Sequence, residues 1–257
     1  VGGALSIDAD SLARIAAEGW PALETESLGA WLLRASSGFT RRANSVLAVG
    51  DPGMPLDDAL ARIRTWYGAR SLPVYVQLFP DSALDGELAQ RGWNIEAPVA
   101  FQIAPIATVL VALDVPPLSP ATARGNVLVS DAPDAAWIAR YHKAGALHEP
   151  ALRVLCGGPR VLFATVPGDD PSRARAIGRC VLVGEWAGFS AIEVDPAHRR
   201  RGLAHAIMRA LLERAAAHRA TDAYLQVETD NTAALALYER LHFTTHHRYH
   251  YRRMPTP

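Results

Sequence analysis

Ile192-Glu193-Val194-Asp195-Pro196-Ala197-His198-Arg199-Arg200-Arg201-Gly202-Leu203-Ala204 reads as a strand end, a tight turn, a basic loop and a helix start. Ile192 and Val194 alternate with Ala191 and Glu193, the spacing of a strand. Asp195-Pro196 ends it, because proline has no backbone donor and restricts the residue before it. From Leu203 on, apolar residues recur every fourth position at Ile207, Leu211 and Ala215, which predicts one buried face of a helix. A helix start carries unpaired N–H groups and partial positive charge. Gly202 and Ala204 have little side chain, so an anion can approach the backbone, and Arg199, Arg200 and Arg201 add full charges suited to phosphate oxygens. The same residues are also compatible with a solvated basic helix cap.

Downstream, Ala223 to Glu228 alternates as a second strand, and Asn231 offers a capping side chain to a helix carrying Ala234, Leu235, Leu237, Tyr238 and Leu241. Arg199-Arg200-Arg201-Gly202-Leu203-Ala204 resembles the Arg/Gln-x-x-Gly-x-Gly/Ala signature of the GCN5-related N-acetyltransferases. The stretch from Asn231 through Tyr238 to Phe243 is similar to that family's Asn-x-x-Ala-x-x-x-Tyr-x-x-x-Gly-Phe segment, with His242 where the family has glycine. The two motifs occur in order, separated by one helix and one strand.

The resemblance implies acetyl-coenzyme A as donor and a primary amine as acceptor. It places the backbone of Ile192 and Val194 along the pantetheine arm and the diphosphate on Arg199, Arg200, Arg201, Gly202, Leu203, Ala204 and His205. It makes Tyr238 the general acid, against the plain reading of a tyrosine packed among leucines. With a thiol near pKa 8.5 and tyrosine near 10, that donation is uphill by about 1.5 units, or about 2 kcal/mol. Asn231 is either a simple cap or a cap that also touches coenzyme. For the base, Gln226 stands where some relatives carry glutamate, and glutamine takes no proton. A water held by Glu193 or by backbone carbonyls is the alternative, against the reading of Glu193 as a solvent-facing strand residue. The stretch Gly29 to Ser45 further resembles two-domain actinobacterial acetyltransferases, some described as N-acetylglutamate synthases. A glutamate acceptor would need cationic partners, for which Arg34, Arg41 and Arg42 are candidates, with Arg140, Arg153 and His148 as others. An acceptor on a protein terminus, a polyamine or a drug amine, and a coenzyme-binding regulator without catalysis, are the competing readings.

Composition narrows the field. The chain has 257 residues, 49% apolar, with formal charge zero, which fits a sizeable core and argues against a generic nucleic-acid or membrane-surface binder. Cys156 and Cys180 are the only cysteines, so neither a disulfide framework nor a thiolate metal site is expected. His246, His247 and His250 lack a carboxylate or cysteine companion at ligand spacing, so no metal is expected there either. Val1 to Leu5 shows no secretion signal, and residues upstream of Val1 remain open because no initiator methionine is present. The apolar stretch Ala97 to Leu113 is interrupted by Pro98, Gln102 and Pro105 and reads as two buried strands rather than a membrane span. A cytoplasmic protein is expected, and the sequence gives no oligomeric state.

Taken in order, the first half alternates helices and strands: a helix after Asp8 and Asp10, strands over Leu28 to Ala35 and Asn44 to Val49, and a helix opened by Pro55. A strand over Val74 to Phe79, a helix over Ser82 to Gln90 and a strand over residues 95 to 104 follow. Pro116-Pro117-Leu118-Ser119-Pro120 is a stiff connector, and the second half repeats a similar order. It includes a helix over Pro133 to Ala146, one over Pro150 to Leu155, and a terminal pair of strands near Phe243 and Tyr249. The expected architecture is α/β (α+β): two tandem acetyltransferase-like domains, each a mixed, mostly antiparallel sheet flanked by helices. The boundaries are 1–115 for a degenerate copy, 116–122 for the linker and 123–257 for the copy that binds acetyl-coenzyme A. The first copy lacks the arginine–glycine signature and is expected to hold no coenzyme.

Overall fold

The computed structural model describes residues 7–114, 127–141, 147–170 and 172–255. In chain order its elements are α1 (Ala9–Gly19), β1 (Glu24–Leu28), β2 (Trp31–Ala35), β3 (Val46–Leu47), α2 (Leu56–Gly68), β4 (Tyr75–Leu78), α3 (Ala83–Gln90) and β5 (Asn94–Pro105). There follow α4 (Ile106–Asp114), β6 (Leu128–Ser130), α5 (Ala135–Arg140), α6 (Glu149–Leu155), β7 (Arg160–Pro167) and β8 (Ala174–Val183). The chain ends with β9 (Trp186–Val194), α7 (Leu203–Ala217), β10 (Asp222–Glu228), α8 (Thr232–Arg240) and β11 (Thr244–Arg253). No helix among the described residues is long and apolar enough to cross a membrane.

Contacts divide the chain into two compact units, one of Val1–Ala100, Glu149–Leu155 and His246–Pro257, the other of Phe101–His148 and Cys156–Thr245. The expected connector, 116–122, lies outside the described residues. The helix α4 belongs to the second unit, because Ile106, Val109 and Leu113 form a helical stripe buried in that unit's core. The expectation of a second strand before Leu113 is therefore corrected: β-branched content yields where the apolar spacing of three and seven residues meets a core. The terminal strands are likewise one strand, β11, and its last residues join the first unit. Of the helix expected over Pro133 to Ala146, α5 is the described part, and 142–146 lie outside it.

The first unit orders its strands β1-β2-β3-β4-β11. Leu28 to Ala35 is a hairpin rather than one strand, with Leu28 paired to Trp31. The helix α1 starts where the Asp8 carboxylate accepts the Ser11 N–H at 2.6 Å, and α3 starts where the Ser82 hydroxyl accepts that of Asp85 at 3.2 Å. The core gathers Trp31, Leu33, Ile63, Trp66, Tyr67, Val76 and Leu88. Here β3 and β4 run parallel and β11 runs antiparallel to β4.

Alternate residues of β11 turn to opposite faces. His250 and Arg252 meet one buried carboxylate on α3: His250 Nε2 lies 2.7 Å from Asp85 Oδ1, and Arg252 Nε donates to the same oxygen at 2.7 Å. Arg252 Nη1 also donates to the Trp93 carbonyl at 2.8 Å. The sequence offered His250 no acidic companion; the fold supplies one from a helix far back in the chain. Burial pushes the Asp85 carboxyl up, but the bonds from Arg252 and His250 outweigh it and hold the pKa below its ordinary value.

The second unit orders its strands β10-β9-β8-β7-β6. Ladders β6–β7, β7–β8 and β8–β9 are antiparallel, and β9–β10 is parallel. One face carries α7, whose Ile207, Met208, Leu211, Leu212 and Ala215 are buried with Cys180, Phe189 and Leu225.

Removing the shared carboxylate would leave the buried Arg252 guanidinium and the His250 ring without their common partner. Asp85→Ala is expected to lower unfolding free energy by about 3 kcal/mol in denaturant titrations. Because the folded pKa of Asp85 is depressed, its contribution is present above the unfolded carboxyl value near ~3.9 and is lost as pH falls through the folded value. The wild-type chain should therefore lose more stability than Asp85→Ala on acidification through that window.

Candidate functional site

The site residues lie where β9 leaves its neighbours. On one side, β8 pairs Arg179 with Ser190 and then Ile177 with Glu193, so Gly178 opposes both Ala191 and Ile192. This is a β-bulge, and Ala191 takes φ +52° to make it. On the other side, the parallel ladder with β10 runs from Trp186–Asp222 to Phe189–Leu225, and the strands share no further ladder among the described residues. A strand edge released in this way presents N–H and C=O groups to an extended ligand.

The bulge depends on an absent side chain. A Cβ on Gly178 would lie 2.4 Å from Ile207 Cγ2 and 2.8 Å from Ile192 Cδ1, so glycine lets α7 and the bulge pack against β8. The sequence signal is a glycine inside a strand pattern, which marks a bulge or close approach.

After Val194 the chain turns at Asp195, whose carboxylate accepts the Ala197 N–H at 2.8 Å. A 3-10 turn over Pro196–His198 follows, then the arginines, all exposed, with Arg200 at φ +61°. Gly202, at φ +76°, sits immediately before α7 and makes no side-chain cap bond. Helical bonding begins with Ala206 N–H to the Gly202 carbonyl at 3.0 Å. The N–H groups of Leu203, Ala204 and His205 therefore precede the first intrahelical bond, as at any helix start. The pKa of His205 is lowered by desolvation and by the nearby Arg240 cation.

Asn231 is the cap of α8, accepting the Ala234 N–H at 3.2 Å. Tyr238 is the buried residue of that helix, 7% exposed, packed edge-on to Phe243 at 5.8 Å between ring centroids. Its hydroxyl makes no hydrogen bond to the described residues, and burial pushes its pKa up to about 12. Against a thiol near pKa 8.5, full proton donation is uphill by about 3.5 units, roughly 5 kcal/mol. That is more than the unperturbed values suggest, and it favours a phenol that stays protonated and donates a hydrogen bond. Glu193 is half-buried on β9 rather than facing open solvent, while Gln226 is half-buried on β10 and Glu228 exposed.

The arginines expected to meet acceptor carboxylates have the following partners. Arg34 is buried in the first unit, its Nε donating to the Ser45 carbonyl at 3.0 Å and Nη2 to Ser45 Oγ at 2.9 Å and Gln77 Oε1 at 2.8 Å. Arg41 pairs with Glu96 at 3.1 Å and lies over the Tyr75 and Tyr251 rings, and Arg42 lies over Trp20. Arg140 is bound to Asp195 and the Ala174 carbonyl, and Arg153 lies 3.6 Å from Glu149.

The first unit has a comparable crossover, β3–α2–β4–α3, with the opposite electrostatics. Asp51-Pro52 follows β3, and Asp57 and Asp58 occupy the first turn of α2, a placement that satisfies the helix start and repels an anion. A cavity of about 450 Å³ there is lined by Trp31, Met54, Leu56, Leu78, Phe79 and Glu87 among others, with no arginine among the described residues.

A parallel β9–α7–β10–α8 crossover opened beside a bulge, with arginines at the bare helix start, defines a GCN5-related acetyltransferase fold. The chain belongs to the family described as "Probable histone acetyltransferase Rv0428c C-terminal", whose model matches residues 8–252. It is 27% identical over 254 residues to the uncharacterized N-acetyltransferase YobR of Bacillus subtilis, covering 95% of this chain and 98% of that one. In fold it is similar to a GCN5-related N-acetyltransferase from Kribbella flavida, with TM-score 0.66 at 16% identity over 99% of this chain and 98% of the other. A tandem GNAT protein from the clavulanic acid biosynthesis pathway shares the fold with TM-score 0.61 at 13% identity, over 82% of this chain and 74% of that chain.

Gly178→Ala should force Ile207 and Ile192 apart and lower unfolding free energy by about 2 kcal/mol, measured by denaturant titration.

Proposed function

We propose that this chain transfers an acetyl group from acetyl-coenzyme A to a primary amine, with the coenzyme held by the second unit. The observation that carries this reading is the end of the β9–β10 ladder at Phe189–Leu225, just ahead of the uncapped start of α7. The donor set fits the group: a glycine at the helix start, N–H groups at its first turn, and three exposed arginines for a diphosphate. In this reading Ile192 and Val194 bind the pantetheine arm through their backbone, Arg199 to Ala204 and His205 take the diphosphate, and Asn231 fixes the start of α8. The coenzyme supplies an activated thioester.

The protein's own part is to orient and to move protons. Tyr238 donates a hydrogen bond from its phenol to the departing sulfur, a role that a high pKa preserves because the proton stays on oxygen. The acceptor ammonium loses its proton before attack, to a water held in this reading by Glu193 or by backbone carbonyls. The acceptor class is a primary amine, of which the α-amino group of glutamate is one member. The family description, which names a probable histone acetyltransferase, brings protein lysines into that class.

A panel of glutamate, lysine, polyamines and short peptides, read by thiol release from acetyl-coenzyme A, tests the reading. At least one amine should raise release above the amine-free rate; no response across the panel, with the coenzyme bound, would favour a regulator without catalysis. Tyr238→Phe should lower turnover by about a hundredfold while coenzyme affinity stays nearly unchanged. Equal turnover would remove Tyr238 from the chemistry. Gly202→Glu should abolish coenzyme binding, because it sets a side chain and a negative charge where the anion docks.

A further inference from the structure

The short helix α5 is bound at two points to the strands and turn that precede the arginines. Near its middle, the indole Nε1 of buried Trp137 donates to the carbonyl of Gly178 at 3.1 Å, the residue that the β8–β9 pairing skips. At its end, Arg140 Nε donates to the Ala174 carbonyl at 2.9 Å, and Arg140 Nη2 donates to Asp195 Oδ2. Asp195 is the residue at which β9 becomes loop. Its other carboxylate oxygen accepts the Ala197 N–H at 2.8 Å, its own N–H donates to the Arg175 carbonyl at 2.8 Å, and His198 Nδ1 lies 3.6 Å away.

One carboxylate therefore joins the loop's main chain to a guanidinium on a different helix. The Arg140 and Asp195 side chains are 13% and 24% exposed, so water and salt screen the pair less than a surface bridge. The partners fix direction as well as position: Arg140 spends its fork on the β8 backbone and on Asp195, which sets the exit angle of the chain from β9. Four residues later the arginines begin.

We propose that Arg140 is a positioning residue for the diphosphate-binding loop, acting through Asp195 and making no contact with the coenzyme itself. The proposal rests on the reading of that loop as a coenzyme cradle. It differs from the sequence expectation that Arg140 meets an acceptor carboxylate, because the guanidinium is bound to the Ala174 carbonyl and to Asp195. A loop held a fraction of an ångström off its place loses diphosphate contacts together, so the effect falls on coenzyme affinity rather than on turnover at saturation.

Calorimetric titration of coenzyme A into the full chain and into Arg140→Gln, Arg140→Lys, Asp195→Asn and the Arg140→Gln/Asp195→Asn double variant tests this. Asp195→Asn keeps an oxygen for the Ala197 N–H while removing the charge. Each of Arg140→Gln and Asp195→Asn is expected to weaken binding about tenfold, the double variant no further, and Arg140→Lys less than Arg140→Gln. With acetyl-coenzyme A, KM should rise in step while kcat at saturation holds, a split that general destabilisation would not give. Affinity equal to wild type in Arg140→Gln, or losses that multiply in the double variant, would overturn the positioning role. A wild-type chain that binds no coenzyme A would instead bring down the cradle reading itself, and the role of Arg140 with it.

Discussion

The second unit's site depends on where one parallel ladder stops. Up to Phe189 and Leu225, β9 and β10 are held together by backbone pairing and by a shared apolar core with α7. Beyond that pair, β9 is diverted by the bulge at Ala191 and Ile192, which adds a residue on one side only and increases the local twist. Gly178 makes the diversion sterically affordable, since any Cβ there would meet both the bulge and α7. The opening between the strands is thus a product of core packing rather than of the polar residues that line it.

The electrostatics follow from the same stretch. Asp195 stops β9 and anchors the turn, and the loop between it and Gly202 collects cationic charge ahead of a helix start. In the first unit, the corresponding Asp51-Pro52 leads into a helix whose first turn is acidic, and its cavity wall carries no arginine among the described residues. Similar backbone order with opposite charge at the helix start separates a surface suited to a diphosphate from one that repels it. In the first unit, Arg34 is buried among neutral oxygens and Asp85 clasps the terminal strand.

The sequence made local features legible and long-range ones not. The helix over Leu203 to Ala217, the Asn231 cap and the strand ends at Asp195-Pro196 follow from spacing and turn chemistry within a dozen residues. The helix Ile106 to Asp114 reads as strand in the sequence because its residues favour strands intrinsically, and only the core it faces selects the helix. Nothing near Arg34, Arg41 and Arg42 in sequence shows their contacts with Gln77, Glu96 and Trp20. The pairing of Asp85 with β11, and of Arg140 with Asp195, joins residues separated by 165 and 55 positions and has no sequence signature.

Amide-resolved hydrogen exchange with and without coenzyme A tests the central claim most directly. The account predicts slowed exchange at Leu203, Ala204 and His205 and along Ile192 to Val194, with the first unit unchanged. Slowed exchange confined to the Trp31, Met54 and Phe79 cavity, with the start of α7 unaffected, would contradict it.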